Sequence, residues 1–91
     1  MVITFMKKRN VKKQFYNYFA VFEPAVEGGF NVSFPNFPGC VTFGRNFEEA
    51  KAKAQEVLGL WLAELFARHK NIPTKRVRPI VDEVEVVVPT K

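Results

Sequence analysis

Apolar positions along this chain recur first at every second residue and then at every third or fourth. Residues 15–22, Phe-Tyr-Asn-Tyr-Phe-Ala-Val-Phe, are aromatic and β-branched and predict a strand. Successive strand side chains point to opposite faces, so Tyr16, Tyr18, Ala20 and Phe22 share one side and Phe15, Asn17, Phe19 and Val21 the other. Both sides are largely apolar, and both therefore expect a cover. Pro24 is expected to stop this strand, and the glycines Gly28 and Gly29 to supply the positive φ of a turn. Residues 30–34 then alternate with Phe30, Val32 and Phe34 inward, as the second strand of a hairpin. Pro35-Asn-Phe-Pro-Gly39 cannot continue a ladder, because two of its residues lack an N–H, and reads as a fixed bend. Residues 40–43, beginning at Cys40, form a short third strand that ends at Gly44.

The period then changes. Asn46 is an N-cap residue type, and Glu49 three positions later completes a capping-box pattern. Phe47, Ala50, Ala54, Val57, Leu58, Trp61, Leu62 and Leu65 recur at three- and four-residue steps, which is one amphipathic stripe. The small Ala50 and Ala54 would let the helix start lie close to a sheet. Gly59 costs up to about 1 kcal/mol relative to alanine and is expected to mark a close approach. Glu49 with Lys53, and Glu64 with Arg68, are favourable i,i+4 pairs. The helix is expected over residues 47–70, capped by Asn71 and stopped by Pro73, and about 36 Å long.

Residues 84–88, Val-Glu-Val-Val-Val, predict a last strand closed by Pro89. The order β-β-β-α-β gives an α+β two-layer sandwich, one long helix on an antiparallel-rich sheet. One helix leaves one sheet face uncovered, and a homo-oligomer, dimer or tetramer, is expected for that reason.

Composition narrows the function. Ten phenylalanines in 91 residues exceed what one small core needs, which points some of them at a partner. No apolar run approaches the ~20 residues of a membrane span. Cys40 is the only cysteine, which excludes an internal disulfide, and a cytoplasmic location is expected.

The charge is uneven. Lys7, Lys8, Arg9, Lys12 and Lys13 supply +5 with no acid nearby, whereas residues 15–91 carry nine bases and nine acids. The expected organisation is a basic arm over residues 1–14 and one domain over 15–91. The arm is a nucleic-acid contact by one reading and a solvated tail by the other. Lys70, Lys75, Arg76 and Arg78 read as a solvated loop.

Catalytic chemistry is hard to assemble here. His69 is the lone histidine, placed in the last helical turn, and Cys40 reads as a small buried hydrophobe. The acids lie on the wet side of the helix, around the first turn and on the last strand, and do not converge as a two-metal site requires. The expectation is no catalytic residue, no metal, no cofactor and no enzyme.

Phe34-Pro-Asn-Phe-Pro-Gly-Cys-Val-Thr-Phe-Gly44, followed by Asn46-Phe-Glu-Glu-Ala50, resembles the HicB family of antitoxins. Tyr18-Phe-Ala-Val-Phe-Glu, Gly28-Gly-Phe-Asn-Val-Ser and Asn71-Ile-Pro73 extend the likeness over about residues 16–75. The resemblance implies a partial RNase H-like (HicB-like) fold without the nuclease carboxylates. It implies a HicA-type toxin partner, a small basic mRNA interferase that such proteins occlude.

Asn36, Phe37, Phe43 and Arg45 depart from the family pattern, and they raise apolarity and remove acid near one edge. With three residues after the expected last strand, autonomous operator binding through a DNA-binding segment is not expected. The leading expectation is an antitoxin or a stand-alone relative acting by steric occlusion. Its expected partner contacts are Phe15, Phe19, Phe37, Phe43 and Arg45. Phe34, Pro35, Pro38, Gly39, Cys40, Gly44, Asn46 and Glu49 are expected to be architectural.

Overall fold

A computed structural model describes residues 14–91. The expected basic arm, with Lys7, Lys8, Arg9, Lys12 and Lys13, lies outside the described residues. Three short strands are followed by a helix: β1 (Val21–Pro24), β2 (Phe30–Ser33), β3 (Val41–Gly44) and α1 (Phe47–Ala67). The sheet order is β1-β2-β3 and both pairings are antiparallel, with Phe22 opposite Val32 and Val32 opposite Thr42. This is the expected α+β, two-layer arrangement.

The β1–β2 turn closes with Ala25 N–H to the Gly29 carbonyl at 2.9 Å and Gly28 N–H to the Ala25 carbonyl at 3.0 Å. Gly28 and Gly29 take φ of 107° and 81°, as the paired glycines predict. β1 ends at Pro24, as expected, and the missing N–H of that last residue is permitted on an edge strand.

The bend between β2 and β3 is two successive tight turns. Phe37 N–H donates to the Phe34 carbonyl at 2.9 Å and Cys40 N–H to the Phe37 carbonyl at 3.0 Å, with Gly39 at φ 95°. Pro35 and Pro38 each hold the second position of one turn, where their fixed φ suits the bend.

The core is Val32, Phe34, Phe37, Cys40, Ala50, Ala54 and Leu62. Tyr18, Ala20 and Phe22 pack against it, as the alternation predicts, with Val57, Leu58, Trp61, Leu65 and Ile72. Gly44 is buried because α1 starts there: a Cβ on it would collide with the Ala50 backbone. Phe47 is half exposed yet stacks on Phe22 at 4.9 Å and Phe30 at 6.0 Å, closing the hairpin end of the core.

Both ends of α1 refine the expectation. The Asn46 side chain accepts the Glu49 N–H at 2.8 Å, as predicted, but Glu49 reaches back to the Arg45 N–H at 2.9 Å instead of the N-cap amide. Arg45 Nε also donates to that oxygen at 2.9 Å, so Glu49 pairs with Arg45, whereas Glu64 and Arg68 pair as expected at 2.6 Å.

The C-terminus comes earlier than Lys70. Lys70 N–H bonds the Leu65 carbonyl at 2.8 Å and His69 N–H the Phe66 carbonyl at 3.0 Å, around His69 at φ 56°. That double bond pattern is the Schellman motif, with a histidine in the left-handed position that glycine usually fills. Gly59 has open space where a Cβ would stand, so it marks no close approach.

Two strand expectations are corrected. Residues 15–20 form no ladder, because β2 ends at Ser33 and the Phe37 and Cys40 N–H groups beyond it are used within the bend's own turns. Residues 84–88 form no strand, because among the described residues nothing pairs with them. Strand backbone needs a matching row of donors and acceptors, and composition alone does not supply one.

Candidate functional site

The outer face of the sheet turns away from α1. Cross-strand register places Glu23, Asn31 and Phe43 in one row across it and Val21, Ser33 and Val41 in the next. Glu23, Asn31, Ser33, Val41 and Phe43 line a shallow depression there. Val41 is 60% exposed and Phe43 42% exposed, an apolar pair uncovered on an edge strand. The Phe43 ring lies over Gly29, where an added Cβ would stand 2.6 Å from its Cζ. The hairpin glycine therefore makes room for that ring and fixes its position.

Arg45 follows on the same edge. Its side chain is 83% exposed even while held by Glu49, so the guanidinium is anchored and still presented to solvent. The Arg45 hydrogen bond holds the Glu49 carboxyl below the usual carboxylate range, and Glu49 in turn raises the Arg45 guanidinium.

A second feature lies at the opposite, β1 side of the sheet. The chain leaving α1 passes Tyr18, whose hydroxyl donates to the Pro73 carbonyl. Asn36 then grips it twice: its Nδ2 donates to the Lys75 carbonyl at 3.0 Å and its Oδ1 accepts the Val77 N–H at 2.8 Å. Between those bonds Arg76 turns to the Phe19 ring, 5.6 Å from its centroid, and Arg78 follows at 5.1 Å. Both distances suit cation–π contact. The run Lys75, Arg76 and Arg78 is thus a strap across the domain and not a free loop. Burial pushes the Tyr18 phenol up, with the neighbouring Tyr16 adding to it.

The expected contact residues separate. Phe43 and Arg45 share the β3 edge, and Phe15, 86% exposed, precedes β1 and lines a depression with Leu58, Leu62 and Phe66 of α1. Phe19 is half buried under two guanidinium groups. Phe37 is corrected: it is 5% exposed, with its ring 4.9 Å from Tyr18 and 6.3 Å from Trp61, so it belongs to the core. The bend that carries Phe37 turns it inward between two tight turns.

Of the residues expected to be architectural, Phe34, Cys40 and Gly44 are buried, Gly39 takes the positive φ, and Asn46 and Glu49 hold the helix start. Burial also pushes the Cys40 thiol up, which suits a packing role. The reading from residue types missed Asn36 as a clasp and Val41 as an exposed anchor. Asn36 bonds residues about forty positions away, which no local pattern signals.

Among the described residues, no group of three or more His, Cys, Asp or Glu side chains comes together to hold a metal ion. Among the described residues, no helix is long and apolar enough to cross a membrane.

The family model described as the HicB_like antitoxin of bacterial toxin-antitoxin system matches residues 18–86. A protein described as UPF0150 protein ssr1765, from Synechocystis sp., is 33% identical over 76 residues, covering 84% of this chain and 94% of that protein.

Proposed function

The chain belongs to the HicB-like antitoxin family of bacterial toxin-antitoxin systems, and from that premise we propose that it neutralises a small HicA-type mRNA interferase by covering it. Family membership supports a non-catalytic role for the chain. The observation that carries the reading is the exposed Val41 and Phe43 pair beside Arg45, on a sheet face that α1 does not cover. An aromatic anchor next to a positioned arginine is the composition of an interface hot spot. Phe43 fills an apolar pocket on the toxin, and Arg45 meets an acidic or carbonyl group at its rim. Phe15 belongs to a separate surface and Phe37 to none. A partial RNase H-like fold, a homo-oligomeric assembly and a cytoplasmic site of action complete the proposal.

The test is co-expression with a HicA-type toxin. Growth rescue and a stable complex are expected, and Val41→Asp with Phe43→Asp should abolish both while leaving the thermal transition in place. Absence of both rescue and complex with the unaltered chain overturns the reading. The concentrated charge of Lys7, Lys8, Arg9, Lys12 and Lys13 supports a second reading, nucleic-acid binding. That reading predicts salt-sensitive RNA or DNA binding that disappears when the five are changed to glutamine.

A further inference from the structure

The end of the chain carries strand chemistry with no strand to join. Ile80, Val81, Val84, Val86, Val87 and Val88 are between 70% and 90% exposed. Period two sorts Ile80, Val84, Val86 and Val88 onto one side with Asp82, and Glu83 and Glu85 onto the other with Val81 and Val87. That is the pattern of a strand with one buried face.

The same chain has an open sheet edge at β1, and the aromatic stretch before β1 also reads as strand and has no ladder. We propose that residues 80–88 are an exchanged strand: each chain lays this segment along the β1 edge of a second copy, which returns its own.

Three observations select a second copy and this edge. First, each chain holds a strand-like segment without a ladder and open sheet edges at β1 and β3, so a reciprocal exchange at β1 pairs the segment and that edge in a closed two-fold dimer. Second, the strap delivers the segment to the β1 side. Pro73 is held by Tyr18, Lys75 and Val77 by Asn36, and Arg76 and Arg78 by Phe19, all beside the approach to β1. Third, charge rejects the simplest rival. Residues 79–88 carry Asp82, Glu83 and Glu85 and no base, so pairing two such segments with each other sets acid against acid. Residues 14–22 carry no charge, and Arg76 and Arg78 stand beside them to meet the arriving acids. Exchange also removes the hazard of an exposed β-prone segment. This inference stands apart from the toxin reading, since it concerns a different edge and a second copy of the chain.

Light scattering on the full chain at micromolar concentration, with backbone hydrogen exchange, tests it. The expected result is twice the 10.5 kDa chain mass, with slow exchange at residues 80–88 and at β1. Val84→Pro combined with Val87→Pro removes a donor from each of the two N–H rows, whichever faces the partner. That variant should fall to the single-chain mass with its helical circular dichroism unchanged, because these side chains pack on nothing within their own chain. A monomeric unaltered chain, a dimer whose tail amides exchange freely, a dimer protected at β3 and not β1, or a proline variant that keeps the doubled mass each overturns the proposal. Tail protection that arises only when another protein is added overturns self-exchange as well.

Discussion

The carboxamide of Asn36 clasps the backbone at Val77 and Lys75 from both of its ends, accepting from one residue and donating to the other at 2.8 and 3.0 Å. Only an amide side chain of this length both donates and accepts there. Asn36→Asp keeps the acceptor and sets a carboxylate against the Lys75 carbonyl. The expected cost is about 1 kcal/mol, read as a lower thermal midpoint, together with faster hydrogen exchange at the Val77 amide.

Two glycines of α1 and its approach should respond in opposite directions. Gly44→Ala pushes a methyl into the Ala50 backbone, and about 3 kcal/mol or more of stability should be lost. Gly59→Ala meets open space on an exposed helical turn, and about 0.5–1 kcal/mol should be gained. Chemical denaturation of the two variants separates them.

His69 holds the left-handed position at the end of α1 with a Cβ that resists it. His69→Gly relieves a strain of about 1 kcal/mol. A rise of roughly 4–8 °C in the thermal midpoint is expected for a domain of this size. No rise would show that the histidine side chain makes a compensating contact.

Phe37 and Phe43 are both phenylalanines of the central motif, yet only one is buried. Phe37→Ala should cost about 3–5 kcal/mol as a core cavity. Phe43→Ala should stay within about 1 kcal/mol in stability and show its effect in partner binding. Equal denaturation midpoints for the two variants would contradict this division.

The bond between Arg45 and Glu49 makes the helix start sensitive to acid. Glu49 is held below its ordinary range by Arg45, so its contribution is fully present above the unfolded carboxyl pKa of about 4.3 and lost as pH falls through the lower folded value. Glu49→Gln should reduce stability at neutral pH and flatten the acid-side decline. Unfolding midpoints at pH 7 and below pH 4 measure it, and parallel curves for variant and parent would contradict it.

Local patterns carried much of the fold. The hairpin glycines, the Asn46 cap and the stripe from Ala50 to Leu65 depend on neighbours within four residues, and each took its expected place. Of the expected contact residues, the exposure of Phe43 and Arg45 did not separate from the burial of Phe37 in the residue types, since all three lie within one bend-and-strand motif. Two turns decided which phenylalanine faced inward.

The amino-acid sequence by itself therefore determined the order of three strands and a helix, the fixed bend and the buried alternation, because backbone preference and side-chain period act over a few residues. Only the tertiary structure decided that Asn36 holds Val77, that Arg76 and Arg78 cover Phe19, and that residues 84–88 find no ladder in their own chain. Those outcomes depend on which distant backbone lies within hydrogen-bonding reach, and no local period encodes that distance.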